Sequence, residues 1–264
     1  MAILTLEQAS FGYGNQTVIK CVTMHTQPGE LLGIIGPNGS GKTTLLRGLS
    51  GLVKPSRGKA LLNDIPLDKL KRQKIAQKIA LVPQNTVLPE LFTAMEIVLM
   101  GRTPHLGLLS HESDNDTRIV MAAMDTTQTL HLAGRRVNQL SGGEKQRLII
   151  ARAITQEAEI ILLDEPTASL DINYQVEIFN FLRKLCDEKG ISIVAALHDL
   201  NLASQYCDRL ILLQDGRINR QGTPEQVIKT ESVAEVFAAD IQVYHHPLNA
   251  LPIVLVSSNT PKKI

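Results

Sequence analysis

Short runs of hydrophobic residues alternate along the chain with longer stretches in which apolar positions recur every three or four residues. The short runs have the length of strands and lie at residues 31–35, 79–83, 159–163, 191–197 and 209–213. Strands that alternate with helices are typical of a parallel sheet covered by helices. The pattern therefore predicts an α/β fold.

Single residues place several helix ends and turns. Leucines between residues 45 and 52 recur at helical spacing directly after a glycine-rich loop, which predicts a strand, a loop and a helix in that order. A helix over 171–189 is expected to stop at Gly190, because glycine commonly follows the last residue of a helix. The pair Asp215 and Gly216, between the runs LILLQ and RINRQ, predicts a hairpin turn.

Between residues 89 and 139 the strand signals disappear and helix-compatible sequence replaces them, which predicts a helical insertion. Thr93 and Glu96 have the spacing of a capping box, so a helix is expected to begin there. Residues 101–116 are rich in Gly, Pro, Ser, His and Asn and are predicted to form a loop. The basic stretch 69–78 is interpreted as a solvated helix face.

Composition excludes several classes of protein. The chain has 264 residues and a net charge of +1, so its size suits one large domain or two small ones and its charge provides no field that would attract nucleic acid. The three cysteines are widely spaced, which argues against a disulfide framework or a zinc site and favours a reducing, cytosolic setting. No secretion signal is recognised, and no apolar run approaches the roughly 20 residues of a membrane span. Any role at a membrane is therefore expected to be peripheral.

Residues 36–43, GPNGSGKT, match the phosphate-binding P-loop pattern. The glycines allow backbone amides to wrap a phosphate, Lys42 can reach the β- and γ-phosphates, and the Thr43 hydroxyl can hold Mg²⁺. A glycine-rich strand-to-helix turn without a ligand is the alternative interpretation. The candidate nucleotide-binding residues here are Gly36, Pro37, Asn38, Gly39, Ser40, Gly41, Lys42, Thr43 and Thr44.

Two carboxylates follow the apolar run 160–163. Asp164 stands where an acidic partner for a P-loop metal is expected, at the end of a buried strand. Glu165 is well placed to orient or deprotonate a water molecule for attack on the γ-phosphate. A surface acid on a loop is the alternative for Glu165, although Pro166 and Thr167 after it favour hydrolysis.

A second glycine-containing segment, Ser141, Gly142 and Gly143, opens a predicted helix that runs through Arg152 and forms another amide-rich anion site. The run 140–144, LSGGE, resembles the signature of ATP-binding cassette (ABC) ATPases, and the P-loop and the two carboxylates occur in the order of that family. The resemblance covers nearly the whole chain.

The resemblance implies ATP and Mg²⁺ as ligands and a RecA-like P-loop NTPase core with an antiparallel β subdomain and a helical insertion. On that basis residues 1–264 form a single domain, with the core at 1–88 and 146–264 and the helical subdomain at 89–145. It also implies a head-to-tail homodimer, in which Ser141, Gly142 and Gly143 of one copy close over the nucleotide of the other.

Further positions resemble family motifs one by one. Tyr13 is similar to the aromatic residue that stacks on adenine, and Gln84 to the glutamine that touches Mg²⁺ and the attacking water. Asp171, in the run 169–171, is similar to the loop residue that crosses the dimer interface, and His198 to the histidine that contacts the γ-phosphate. The resemblance thus implies the catalytic residues Lys42, Gln84, Glu165 and His198 and the metal ligands Thr43, Gln84 and Asp164.

Three classes of function remain open: the energy subunit of a transporter, a soluble cassette for DNA repair or translation, and an ordinary P-loop kinase. The signature argues against a kinase, and one cassette without a long coiled coil argues against the soluble cassettes. Segments 98–105, 198–203 and 246–252 resemble importers of ferric siderophores, haem and cobalamin; a zinc or manganese importer is the alternative.

The resemblance to importers also implies partners and a location. The expected partners are a permease dimer, contacted through residues 91–105, and indirectly a periplasmic or lipoprotein substrate-binding protein. The expected location is the cytoplasmic face of the cell membrane, without nucleic acid as a partner.

Overall fold

A computed structural model describes residues 3–84, 86–106, 112–168 and 170–257. Near the amino terminus the chain forms an antiparallel sheet, in which long strands pair through irregular registers. Its order is β2-β1-β4-β5, with β1 Leu4–Tyr13, β2 Gln16–His25, β4 Arg57–Leu62 and β5 Ile65–Pro66.

The central sheet has six strands and carries the P-loop, residues 36–43, at the end of β3, one of its middle strands. Its order is β10-β9-β3-β8-β7-β6, and only β10 runs antiparallel to its neighbour. The five predicted strands are all confirmed, with ends shifted by at most one residue. The bounds are β3 Leu31–Ile35, β6 Ile79–Val82, β7 Ile160–Asp164, β8 Ser192–Ala196, β9 Arg209–Gln214 and β10 Arg217–Gly222.

Helices cover both faces of this sheet, and a two-stranded sheet follows near the carboxyl end of the described chain. The helices are α1 Lys42–Leu49, α2 Arg72–Ala76, α3 Ala94–Leu99, α4 Asp114–Thr126, α5 Gly142–Thr155, α6 Ile172–Lys189, α7 Leu200–Tyr206, α8 Pro224–Val227 and α9 Thr230–Phe237. Short 3₁₀ helices lie at Leu67–Lys69, Met100–His105, Leu130–Leu132 and Val137–Gln139. The last two strands are β11 Ile241–His245 and β12 Pro252–Val256.

Alternation along the central strands divides the core into two clusters. Leu32 and Ile34 of β3 pack on one face, together with α1 and the antiparallel sheet, whereas Leu31 and Ile35 pack on the other with the helices. Since successive side chains of a strand point to opposite faces, the five parallel strands β3, β6, β7, β8 and β9 each contribute to both clusters. The P-loop therefore lies on the face that the antiparallel sheet covers.

Two predicted boundaries are confirmed. Helix α6 ends at Lys189, and Gly190 follows it with a φ of 66°, a left-handed conformation that glycine adopts without strain. Asp215 and Gly216 form the hairpin turn between β9 and β10 with φ values of 49° and 78°. The proposed subdomain limit at residue 145 falls inside the continuous helix α5.

One prediction is wrong in part. Residues 101–116 were predicted to be loop, but the structure has a 3₁₀ helix over Met100–His105 and begins α4 at Asp114; residues 107–111 lie outside the described part of the chain. The physical reason is a capping box formed by Ser113 and Asp116, which starts α4 within a polar stretch. In the basic stretch 69–78, Lys71, Arg72 and Lys74 are exposed, as a solvated face requires.

Candidate active site

The P-loop curls around its own lysine between β3 and α1. Lys42 Nζ donates hydrogen bonds to the carbonyl oxygens of Gly36 (2.8 Å) and Pro37 (3.2 Å). Burial lowers the pKa of Lys42, and the charges of Glu165 and Asp164 partly oppose that shift. The ammonium group is therefore held in the loop, where the phosphates of a nucleotide would meet it.

The loop has the features of a built anion site. Gly41, the residue before α1, has a φ of 105°, a conformation that leaves the first helical amides directed into the loop. The hydroxyl of Ser40 is buried and has no hydrogen-bond partner among the described residues. A buried polar group without a partner is costly, so a nucleotide phosphate that accepts its hydrogen bond fits this position.

Thr43 and Asp164 meet across the sheet edge. The Thr43 hydroxyl donates to Asp164 Oδ1 at 3.2 Å, which joins the first turn of α1 to the end of β7. Burial raises the pKa of Asp164, and the hydrogen bond from Thr43 counteracts it. A hydroxyl and a carboxylate beside a phosphate loop fit Mg²⁺, which usually takes one or two protein oxygens together with substrate phosphates.

Two of the other predicted catalytic residues, His198 and Gln84, converge on Glu165. Its Oε1 contacts His198 Nε2 and its Oε2 accepts a hydrogen bond from the Gln84 side-chain amide. The backbone φ of Glu165 is 53°, a left-handed conformation that costs a non-glycine residue free energy, and its N–H donates to Ala196 O at 3.1 Å. The backbone of Glu165 is thus strained, and its carboxylate is held between the side chains of Gln84 and His198.

Tyr13 lies at the end of β1 with 47% of its surface exposed. Its hydroxyl accepts a hydrogen bond from Arg47 Nη1 at 3.1 Å, and Arg47 lies on α1, four residues after Thr43. The exposed ring is free to stack on a base while Arg47 fixes its orientation. Sequence reasoning missed Arg47, although its helical spacing from Thr43 placed it on the nucleotide side.

The signature segment, residues 140–144, lies at the start of α5. Ser141 caps α5 in a capping box with Glu144, and this hydrogen bonding lowers the pKa of Glu144. Gly142 is exposed at the helix start. No hydrogen bond among the described residues joins this segment to the P-loop, so one chain presents two separate glycine-containing helix starts.

Asp171, the other residue predicted at the dimer interface, is the cap position of α6. Its side chain makes no capping hydrogen bond and is exposed. Ser169, in the same predicted loop, lies outside the described residues. The Asp171 carboxylate is thus free of intramolecular capping.

Comparison with known proteins agrees with this arrangement. The profile of the ABC transporter family matches residues 19–168. The chain belongs to the ABC transporter family. Among curated ABC relatives, the ferric enterobactin transport ATP-binding protein FepC of Escherichia coli (strain K12) is 38% identical over 98% of this chain and 96% of its own. The hemin import ATP-binding protein HmuV of Pseudomonas aeruginosa is 39% identical over 96% of this chain and 99% of its own.

The fold of this ABC cassette is also found among solved structures. A structure described as a metal-chelate type ABC transporter in an inward-facing conformation has a TM-score of 0.85 and 27% identity, and it covers 98% of this chain and 99% of that chain. The predicted P-loop NTPase core is therefore confirmed. Among the described residues, no helix combines the length and hydrophobicity that spanning a bilayer requires.

The ABC cassette contains one support for the P-loop that the sequence did not reveal. The turn residue Gly216 donates its N–H to Ser40 O at 3.0 Å and accepts a hydrogen bond from Lys20 N–H at 2.7 Å. A Cβ on Gly216 would lie 1.8 Å from Val18 O. The hairpin turn thus joins the P-loop to β2 by backbone contacts that only glycine permits. The turn was predicted, but its partners, far away in the sequence, were not.

Proposed function

We propose that the chain is the ATP-hydrolysing energy-coupling subunit of a bacterial importer for a metal chelate, namely a ferric siderophore, haem or cobalamin. The convergence of Gln84 and His198 on the strained Glu165, beside the P-loop, is the observation that carries the hydrolytic part. Support for the transported substrate comes from the siderophore and haem relatives, which align with this chain over nearly their full lengths.

In the proposed mechanism the P-loop binds the phosphates of ATP and Tyr13 stacks on the adenine. Lys42 turns its charge from the carbonyls of Gly36 and Pro37 toward the phosphates, since its low-dielectric setting strengthens that attraction. The Glu165 carboxylate orients a water molecule and accepts its proton, while His198 and Gln84 hold the carboxylate in place.

Thr43, Asp164 and the carbonyl oxygen of Gln84 would hold Mg²⁺, because the Gln84 amide nitrogen already donates to Glu165. When bound, Mg²⁺ neutralises charge on the β- and γ-phosphate oxygens. The raised pKa of Asp164 returns toward its usual range when a cation is placed beside the carboxylate.

We further propose a head-to-tail homodimer in which Ser141, Gly142 and Gly143 of one copy close over the ATP on the P-loop of the other. The separation of these two sites within one chain supports that arrangement, because no hydrogen bond among the described residues joins the signature segment to its own P-loop. Asp171, exposed at the start of α6, would lie at the same interface.

The proposed permease partner meets the chain on the helical side, at the cytoplasmic face of the membrane. Leu91 and Phe92 are exposed there, at 74% and 41%, directly before α3. Exposed apolar residues next to each other are typical of a protein contact. The substrate-binding protein would act from the other side of the membrane, through the permease.

The test is uptake by a complex reconstituted with the permease encoded next to this subunit, with the matching substrate-binding protein added outside the vesicles. Vesicles loaded with ATP are offered a ferric siderophore, haem, cobalamin, Zn²⁺ or Mn²⁺, and the complex with Glu165→Gln is the matched control. We expect ATP-dependent uptake of one of the three chelates and none with the control. Uptake of a free metal ion only, or no uptake of any of these, contradicts the proposed substrate class.

A further inference from the structure

The 3₁₀ segment Met100–His105 is pressed against the last turn of α5. Gly101 lies so close that a Cβ on it would be 2.3 Å from the carbonyl oxygen of Arg152. Arg102 is buried, with 5% of its surface exposed, and its Nη1 donates to Thr155 O at 2.8 Å. The segment and the end of α5 therefore meet without room for a further side chain.

Hydrogen bonds from the charged Arg102 side chain connect the 3₁₀ segment to α4 and to the end of α5. Its Nε donates to Asp116 Oδ1 at 2.7 Å, and its Nη1 also donates to Glu157 Oε2 at 2.6 Å. The other oxygen of Asp116 accepts hydrogen bonds from the Ser113 hydroxyl (2.7 Å) and N–H (2.9 Å). Asp116 thus both caps α4 and pairs with Arg102, and these partners hold its pKa well below the usual range.

The same segment is tied on its other side. The side-chain amides of Gln73 and Gln77 donate to Pro104 O at 3.0 and 2.9 Å. The ring of His105 contacts the carbonyl oxygen of Gln156, just after α5, through Nε2 at 2.8 Å. Hydrogen bonds from α2, α4 and α5 therefore converge within six residues of chain.

The contacts that Arg102 makes with the end of α5 are here called the joint. Helix α5 connects this joint to the signature segment. Ser141 precedes its first residue and Thr155 is its last. At about 1.5 Å per residue the helix is on the order of 20 Å long and behaves as a rod. Movement of the Ser141 end of α5 is transmitted to residues 100–106 only if the joint at the Thr155 end holds α5 and these residues together.

We propose that Arg102 is the positioning residue that makes α5 and residues 100–106 move as one body when ATP closes the dimer. This inference rests on the proposed transport function, because residues 91–105 are where the permease is expected to bind. Arg102 touches neither nucleotide nor reacting atoms and acts through α5. A lysine at this position keeps the charge but cannot reach Asp116, Thr155 and Glu157 together, since an ammonium group lacks the planar fork of a guanidinium.

The first test compares Arg102→Lys with Arg183→Lys. Arg183 is a matched control, because it also bridges two carboxylates, those of Asp187 and Asp208, but on α6. We expect ATP affinity and hydrolysis by the isolated Arg102→Lys subunit to stay within about twofold of wild type, while substrate transported per ATP in the complex falls on the order of tenfold. Arg183→Lys should leave this ratio unchanged.

An unchanged ratio for Arg102→Lys overturns the proposal, and so does an equal loss for Arg183→Lys. Loss of hydrolysis by the isolated Arg102→Lys subunit also overturns it, since a positioning role in coupling leaves the isolated chemistry intact. A wild-type complex that transports nothing contradicts the proposed function instead, and the joint is then decided by the measurement below.

The second test needs no permease. Spin labels at Thr103 and Lys145 report the distance between the 3₁₀ segment and the first turn of α5, with exposed Cys21 replaced by Ser and Glu165→Gln used to retain ATP. When Arg102 is retained in this labelled background, we expect the same distance with and without ATP. When Arg102→Lys is added, we expect the distance to change with ATP or its distribution to broaden. An ATP-dependent distance in the Arg102 protein overturns the proposal. If Arg102→Lys does not fold, Glu157→Gln at the half-exposed carboxylate of the joint provides the milder variant.

Discussion

The P-loop and the signature segment are both glycine-containing helix starts, but the fold treats them differently. In the P-loop, Gly41 has a φ of 105° and a Cβ on it would lie 2.6 Å from the side chain of Ile19. In the signature segment, Gly142 is helical and a Cβ on it would meet nothing within 4 Å. The subunit's own fold therefore explains the P-loop glycine, whereas nothing within the described chain requires glycine at 142.

The serines of the two segments differ in the same way. Ser141 satisfies its hydroxyl within the segment, through Glu144, while Ser40 is buried and its hydroxyl has no partner in the described part of the chain. The signature segment thus pairs its serine hydroxyl and exposes Gly142, whereas the P-loop buries a serine hydroxyl that lacks a partner among the described residues. This difference is what a site that binds ATP directly and a site that approaches the ATP of another copy would require.

The largest difference is expected between the carboxylates of the two regions. Glu165→Gln should lower the hydrolysis rate by roughly 10² to 10⁴, because the water loses its base, with ATP affinity retained. Glu144→Gln keeps a hydrogen-bonding side chain at the cap and should stay within about tenfold of wild type. Phosphate release and ATP titration of both variants measure this. A Glu165→Gln enzyme with wild-type turnover would remove Glu165 from the mechanism.

Two lysines make the next comparison. Lys42→Ala should weaken ATP binding by the isolated subunit by on the order of 100-fold, since it deletes the charge at the β- and γ-phosphates. Lys145→Ala, in the first turn of α5, should leave that affinity unchanged, because no hydrogen bond among the described residues joins the signature segment to its own P-loop. Equal losses of affinity in the two variants, measured by calorimetric titration, would contradict the separation of the two sites.

The two helix-start glycines, Gly41 and Gly142, are expected to differ in their effect on the free energy of unfolding. Gly41→Ala should lower the free energy of unfolding by about 1–3 kcal/mol, because alanine is strained at positive φ. Gly142→Ala should leave it unchanged or raise it by up to about 1 kcal/mol, since alanine is the better helix former. Denaturant unfolding measures both values.

The same Gly142→Ala change should impair ATP-dependent dimerisation when it is combined with Glu165→Gln. We expect the Glu165→Gln subunit to shift to dimer with ATP and to remain monomeric with ADP, as seen by size-exclusion chromatography with light scattering. If Gly142→Ala dimerises as readily, the open space beside Gly142 has no role at the interface.

The smallest effects are expected for the serines, and they should have opposite signs. Ser141→Ala should destabilise the subunit by about 1 kcal/mol through loss of the cap. Ser40→Ala should stabilise the ATP-free subunit by up to about 1 kcal/mol, because it removes an unpaired buried hydroxyl, but should reduce the stabilisation that ATP adds. Thermal unfolding with and without ATP checks both signs; the same sign for both variants would break the comparison.

The Ser141 effect should also depend on pH. Hydrogen bonds from Ser141 lower the pKa of Glu144 in the folded subunit, so their contribution is present above the ordinary glutamate pKa and is lost as pH falls through the lowered value. The difference in stability between wild type and Ser141→Ala should therefore be full near pH 7 and shrink below about pH 4. A difference that grows in acid would show that Glu144 is not the partner.

The sequence predicted those parts of the fold and site that depend on neighbours along the chain. The P-loop, the cap at Thr93, the helix start at residues 141–143, the helix end at Gly190 and the turn at residues 215–216 all follow from local spacing. The loop prediction over 101–116 failed because the capping residues Ser113 and Asp116 stand within a stretch whose composition resembles a loop. The Arg47 contact to Tyr13 was not found, since 34 residues separate the two.

The sequence alone determined the family, the α/β class and the candidate groups for binding phosphate, because these follow from residue order and spacing. Only the tertiary structure decided which distant groups meet. Gln84 and His198 contact Glu165, Gly216 supports Ser40, and Arg102 connects α4 to α5. The physical reason is that hydrogen bonds and ion pairs act over a few ångströms, and only packing of the two clusters on the central sheet brings these residues within that range.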